Sequence, residues 1–210
     1  QDNGSGGQII YSLINDDWQI DIKRKELVME EIEKSNSYIS IYLGGYIVIG
    51  GSQKSLDILL KKLPTNGKYP FQIPFHSAFH TSLLDNVVPL AQSSIDNNFF
   101  NKPSIPLIDG RGYIWSPWST DKGKLYNYTL DHQIIKPYNF SSSIEVALKE
   151  FCPDNIILLG PGNTLGGPVA QVLIEQNWNG LKSKSDFIQS QTKNPFVVSM
   201  GIDDQKQIVV

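Results

Sequence analysis

The chain contains a single cysteine, Cys152, among 210 residues. One thiol excludes an internal disulfide and any cysteine-rich zinc site, and it fits a reducing compartment. No apolar run reaches the ~18 residues of a membrane span, and no signal peptide opens the sequence. The expectation is a cytoplasmic globular protein with no membrane partner. An excess of positive charge is also missing: 18 Lys and Arg stand against 21 Asp and Glu, a formal net charge of −3. With no basic stripe to neutralise phosphates, the charge argues against a nucleic-acid partner. Histidine is scarce, with only His76, His80 and His132. The motif Gly-x-Ser-x-Gly, which exposes a nucleophilic serine on a sharp strand-to-helix turn, occurs nowhere.

Hydrophobic residues make up 40% of the chain and charged residues 19%, the balance of a globular protein with length enough for a core. Residues 1–8, rich in Gly and lacking an apolar face, predict a flexible leading segment. Ile9 to Ile14 has strand character, and Ile20 to Glu33 shows the apolar spacing of a helix through Ile22, Leu27, Val28 and Ile32. Tyr38 to Leu43 and Tyr46 to Ile49 predict a hairpin around Gly44-Gly45. Ser52 caps a helix over Ser55 to Leu63, and Tyr69 to Phe75 is the fourth strand. Strand-helix-strand-strand-helix-strand is the ferredoxin-like order.

The second half alternates differently. Ser82 to Asn98 predicts one helix, Pro103 to Leu107 a short strand, and Asp109 to Gly112 a turn. Trp115 to Gly123 reads as an irregular loop, followed by helices over Lys124 to Asp131 and Ile144 to Phe151. Asn155 to Leu159 is an apolar run of buried-strand length, Gly160 to Asn163 a sharp turn, and Val169 to Gln176 a helix. The alternation is that of an α/β unit.

The chemistry concentrates between Pro74 and Leu84, where two of the three histidines lie at a strand-to-helix junction. An imidazole titrates near neutral pH and is the usual general base there, and loops on a rigid scaffold carry such groups. The plain alternative is a pair of half-buried turn histidines. A metal site is disfavoured, because His76 and His80 share a face only in a helix and no third ligand is apparent.

Ser77-Ala78-Phe79-His80, followed by Thr81-Ser82-Leu83-Leu84, resembles the catalytic-histidine segment of the malonyl-CoA:acyl carrier protein transacylases. The acyltransferase domains of fatty acid and polyketide synthases share that segment: a Phe-His or Ser-His pair, two variable residues, then Leu and an aliphatic residue. Gly45 to Gly51 resembles the family's Gly-Gln-Val-Val-Ile-Ser-Gly strand, although Ser40 and Tyr42 stand where the family usually has asparagines. Gln133-Ile134-Ile135-Lys136-Pro137 resembles its Gln-Leu-x-x-Pro, and Leu159 to Leu165 its Gly-Pro-Gly-x-x-Leu turn. The matches span roughly residues 9–177, in the family's order.

The resemblance implies that His80 is the catalytic base. It implies that the backbone carbonyl of Gln133 orients the ring, and that Ser77, Ala78 and Phe79 border the substrate pocket. His76 falls on no functional position. The implied fold is α/β with an α+β insert, a ferredoxin-like small subdomain followed by the C-terminal part of an α/β-hydrolase-like acyltransferase subdomain. The corresponding boundaries are 1–8, 9–75, 76–190 for the larger part and 191–210 for a C-terminal extension. No cofactor is implied. Malonyl-CoA is the substrate, and the acyl carrier protein is the partner that brings its own phosphopantetheine. The family's nucleophilic serine and its malonate-binding arginine lie upstream of the ferredoxin-like unit, so the chain reads as the C-terminal half of such an enzyme. That reading makes an N-terminal half bearing the serine a further partner, and leaves the 210 residues alone inactive. The alternative is a non-catalytic acyltransferase-like or ferredoxin-like binding or regulatory protein. A hydrolase built on Ser77 or Ser82 ranks lower, since neither serine has an elbow.

Overall fold

The computed structural model describes residues 5–209. Of the leading segment, residues 1–4 lie outside that range, and the rest departs from expectation. Strand β1 already starts at Gly7 (Gly7–Ser12) and is buried on both faces. Gln8, expected in a flexible stretch, is 2% exposed, because the strand turns its side chain toward the histidine loop.

Helix α1 (Ile22–Lys34) starts where the Asp21 carboxylate accepts the Arg24 N–H and satisfies an otherwise orphaned donor. β2 (Tyr38–Leu43) and β3 (Tyr46–Gly51) form the expected hairpin. α2 (Gln53–Lys62) is capped by Ser52, whose hydroxyl accepts the Ser55 N–H. β4 is only Phe71–Ile73, shorter than Tyr69 to Phe75, because Phe75 turns to a left-handed φ of 60°. The sheet order β4-β1-β3-β2, antiparallel throughout, is ferredoxin-like. Ile9, Tyr11, Ile47 and Ile49 project from one face onto Val28, Ile32, Leu56 and Leu59 of the two helices.

Beyond β4 the expected long helix breaks up. A 3₁₀ turn at Ser82–Leu84 is followed by α3 (Val87–Ser94) and a second 3₁₀ turn at Asn97–Phe99. Pro89 has no N–H to continue a helix from the preceding turn, which confines it to the first turn of α3. The Ser93 and Ser94 hydroxyls donate back to the Leu90 carbonyl near its end. β5 (Leu107–Ile108) and β6 (Ile114–Trp115) close a two-stranded hairpin in place of a strand over Pro103 to Leu107. α4 (Lys122–Asn127) begins earlier than expected, capped by Asp121, and widens into a π-helical turn, Tyr128–His132. α5 (Gln133–Ile135) is a single turn. β7 (Tyr138–Asn139) then adds to β2 as a parallel fifth strand of the first sheet. α6 (Phe140–Phe151) takes its cap from Asn139, so Ser141 to Ser143 lie inside the helix rather than ahead of it.

β8 (Ile156–Leu158), α7 (Gly166–Glu175), α8 (Lys184–Lys193), β9 (Val197–Ser199) and α9 (Asp203–Lys206) complete the chain. β9, within the segment expected as an extension, pairs in parallel with β8. Their core joins Leu148, Val169, Val172, Leu173 and Val197. Among the described residues, no helix is long and apolar enough to cross a membrane.

The helix face of the first sheet dictates a stability difference. Leu59 is fully buried, whereas its neighbour Ile58 is 41% exposed. Leu59→Ala is expected to lower the unfolding free energy by about 2–5 kcal/mol in urea titration, and Ile58→Ala by no more than ~0.5 kcal/mol. Equal losses at the two positions would contradict this packing.

Candidate active site

The face of the sheet opposite the helices carries the histidine loop. Gly50 of β3 has no side chain, and a β-carbon there would lie 2.7 Å from Thr81 Cγ2 and 3.5 Å from Ala78 Cβ. The loop therefore rests directly on the strand. Gln8 of β1 and Ser40 of β2, both buried, meet above Gly50 with Gln8 Nε2 2.7 Å from Ser40 Oγ. The Ser40 hydroxyl donates to the Phe79 carbonyl at 2.8 Å, and Gln8 Nε2 reaches the same carbonyl at 3.3 Å. Gln8 Oε1 lies 2.8 Å from His76 Nδ1. The Thr81 hydroxyl donates to the Ala78 carbonyl at 2.6 Å, closing the loop on itself.

These bonds hold His80 at φ 62°, the left-handed region that costs a residue with a β-carbon about 1–2 kcal/mol. From the other side, the His80 backbone N–H donates to the Ile134 carbonyl at 2.8 Å. The ring Nδ1 lies against the Gln133 carbonyl in a short contact. Both carbonyls belong to the single turn of α5. The ring also faces Tyr138 of β7, with centroids 5.6 Å apart.

A carbonyl only accepts, so Nδ1 must carry the proton when the ring is neutral, and Nε2 is left with a free lone pair. Burial is the larger influence on the ring and pushes its pKa below the usual imidazole value, while the Gln133 carbonyl pulls the other way. The outcome is a neutral base at physiological pH. His132 is also held below the usual value, by burial first and then by the Arg111 guanidinium.

The contact between His80 and Gln133 that the resemblance implied is therefore present. Phe79 is 46% exposed beside His80, Ser77 is half-buried, and Ala78 is fully buried against the sheet. His76 and His80 do not share a helix face, since the segment is irregular and each ring binds a different acceptor. Sequence reasoning missed Gln8, Ser40, Ile134 and Tyr138. For Ser40 a signal existed: a small polar residue amid the apolar alternation of β2 marks a buried hydrogen-bonding position. Nothing in the local sequence of Ile134 or Tyr138 announces their contacts.

The ferredoxin-like unit thus leads into a left-handed histidine that is clamped by a turn from the α/β part that follows. Comparison with solved structures identifies the fold. Nearly the whole chain superposes on the malonyl-CoA:acyl carrier protein transacylase of Xanthomonas oryzae, with a TM-score of 0.65 and 16% identity, covering 99% of this chain and 57% of that one. The acyl-carrier-protein S-malonyltransferase of Burkholderia pseudomallei matches with a TM-score of 0.65 at 16% identity, covering 98% and 59%. The malonyl CoA-acyl carrier protein transacylase of Clostridium perfringens matches with a TM-score of 0.60 at 22% identity, covering 98% and 57%. In sequence, the chain is 25% identical over 124 residues to a component of the phenolphthiocerol/phthiocerol polyketide synthase of Mycobacterium tuberculosis, covering 59% of this chain and 8% of that protein. No protein-family model matches the chain. The chain thus has the fold of the malonyl-CoA:acyl carrier protein transacylases, and spans somewhat over half of the solved ones and a small part of the polyketide synthase component.

The depressed pKa sets the sign of the pH dependence. A group that is harder to protonate when folded stabilises the fold above its unfolded value, near 6.5, and that contribution is lost as pH falls through the folded value. By NMR titration of the 210-residue chain, His80 is expected to titrate below 6.5. A midpoint at or above 6.5 would contradict the burial.

Proposed function

We propose that this chain supplies the general base of an acyltransferase that moves malonyl from malonyl-CoA to the phosphopantetheine thiol of an acyl carrier protein, in fatty acid or polyketide synthesis. The observation that carries the reading is His80, with Nδ1 against the Gln133 carbonyl and Nε2 left free, within a transacylase fold. A serine nucleophile is supplied by a segment upstream of Gln1, as either the same polypeptide or a companion chain in the cytoplasm. His80 Nε2 takes the serine proton as the hydroxyl attacks the thioester carbon and CoA leaves as the thiol. In the second half-reaction it takes the proton of the carrier thiol, whose sulfur attacks the acyl ester and releases the serine. An oxyanion hole next to that serine stabilises each tetrahedral intermediate.

Exposed apolar groups support an upstream partner. β8 and β9 form a two-stranded parallel sheet, an arrangement that is ordinarily covered on both faces, yet Ile157 within β8 and Leu159 just after it are 43% and 84% exposed. The isolated 210 residues are expected to show no transacylase activity above buffer. A serine-dependent acyl-enzyme formed by them alone would overturn the fragment reading.

In the complete protein, removing this base is expected to cost about 10²–10⁴-fold in kcat/KM. His80→Ala should show that loss, while His76→Ala, which removes only a partner of Gln8, stays within about tenfold. Equal losses at the two histidines, or none at His80, would refute the assignment and favour a non-catalytic binding protein.

Acyl choice follows from Phe79. In polyketide synthase acyltransferases the residues leading up to the base track the acyl unit: a His-Ala-Phe-His pattern, ending in the base, resembles the malonyl-selecting type and Tyr-Ala-Ser-His the methylmalonyl type; Ser77-Ala78-Phe79-His80 matches the first at three of four positions. A half-exposed phenyl ring next to His80 fills the space that an α-methyl branch needs. One methyl group discriminates by about 10–200-fold at most. The complete enzyme is expected to prefer malonyl-CoA over methylmalonyl-CoA, and Phe79→Ser to narrow the ratio of kcat/KM values. An unchanged ratio would refute the steric account.

A further inference from the structure

Between β5 and β6, the turn from Asp109 to Gly112 is buried at Asp109 and Gly110 and gathers an unusual number of contacts. The Asp109 side chain is 3% exposed and faces five donors. Oδ1 accepts the backbone N–H of Arg111 at 2.8 Å and of Tyr113 at 3.2 Å. Oδ2 accepts Arg111 Nε at 3.1 Å, Arg111 Nη2 at 2.5 Å and Trp115 Nε1 at 3.1 Å. A buried carboxylate is costly unless its lone pairs are occupied, and here they are. The turn is consequently rigid.

Two routes lead from this turn to His80. On the first, the Gly110 N–H donates to the Tyr128 hydroxyl at 2.9 Å, and the Arg111 guanidinium covers the Tyr128 ring at 4.3 Å. Burial pushes the Tyr128 pKa up to about 12, so the group that accepts from Gly110 is a neutral hydroxyl. Tyr128 opens the π-helical turn, stacks on His132 at 5.6 Å, and that turn delivers Gln133, whose carbonyl receives the His80 ring. On the second, the Gly110 carbonyl accepts the Asn139 N–H at 2.9 Å. A β-carbon at Gly110 would come 2.4 Å from Tyr138 Cδ2, so only glycine lets Tyr138 lie flat on the turn and face His80. The Ser143 hydroxyl, donating to the Asp109 carbonyl at 2.7 Å, ties the same turn to α6. π-helical turns are unfavourable on their own and persist where something holds them, often beside functional groups.

We propose that Asp109, through Arg111 and Tyr128, is a positioning residue that aims the Gln133 carbonyl and so selects the Nδ1–H tautomer of His80. The proposal rests on the reading of His80 as the base, since that role needs Nε2 unprotonated. Free imidazole favours the other tautomer, with the proton on Nε2, so the choice made here must be imposed by the acceptor. Asp109 touches no reacting group itself. Its influence runs through a carbonyl two elements away.

The test is the His80 tautomer ratio in the 210-residue chain, read by long-range proton–nitrogen NMR above the ring's titration. His76, bound to Gln8 instead, serves as the internal reference. The unaltered chain is expected to favour Nδ1–H at His80 by roughly tenfold or more, the preference one carbonyl hydrogen bond supplies. Asp109→Asn places an amide N–H among the donors at Oδ2 and should lower that ratio several-fold while leaving His76 unmoved. Tyr128→Phe deletes only the oxygen that accepts from Gly110, should act in the same direction, and decides the matter if Asp109→Asn fails to fold. Folded variants that keep the ratio of the unaltered chain overturn the proposal while leaving His80 as the base. An unaltered chain that already holds the proton on Nε2 overturns both.

Discussion

A hydrogen bond between an imidazole Nδ1 and one backbone carbonyl is the contact on which the site depends. The Gln133 carbonyl is available because α5 is one turn long and ends before Lys136, leaving carbonyls that no helical N–H claims. Two of them serve His80, Ile134 through the backbone and Gln133 through the ring. One helix end thereby sets both where the residue sits and which nitrogen is free.

Holding the ring there has a cost that the sheet offsets. His80 is left-handed, and its ring is withdrawn far enough from water to lower its pKa. The compensation lies in the buried bonds under the loop. Each neutral hydrogen bond of this kind contributes on the order of 1 kcal/mol, and the Phe79 carbonyl receives two donors, from Ser40 and Gln8. Leaving that carbonyl buried and unpaired costs about 1–3 kcal/mol, which makes the network cooperative in practice. The ferredoxin-like unit is thus more than a neighbour of the site. Its back face is the seat of the histidine loop, made flat by Gly50 and polar at two places by Gln8 and Ser40.

Elements whose signals are local were legible in the sequence. Ser52 caps α2 as its position suggests, the Gly44-Gly45 hairpin forms, and the strand order follows from the alternation of strands and helices. Phe79-His80 marked the loop, and the Gln133 motif marked its partner. The losses came where tertiary contact overrides local pattern. Pro89 and the seryl back-bonds divided an apolar stretch with the spacing of one helix. Gln8 reads as loose because it is polar and follows a glycine-rich run, yet its amide reaches across the sheet to Ser40. β7 is two residues long, and its pairing with β2 depends on a segment nearly a hundred residues away, which no window of sequence reports. Asp109 reads as an ordinary turn residue, because the donors that bury it include the indole of Trp115 from the next strand.

The central claim is that His80 presents a free Nε2 to a nucleophile brought by an upstream segment. A crystal structure of this chain together with the proposed serine-bearing segment measures this directly. The expected result is a serine hydroxyl within about 2.6–3.2 Å of His80 Nε2, with Nδ1 still on the Gln133 carbonyl. A complete structure in which no nucleophilic side chain approaches Nε2, or in which another protein group permanently occupies it, would contradict that claim.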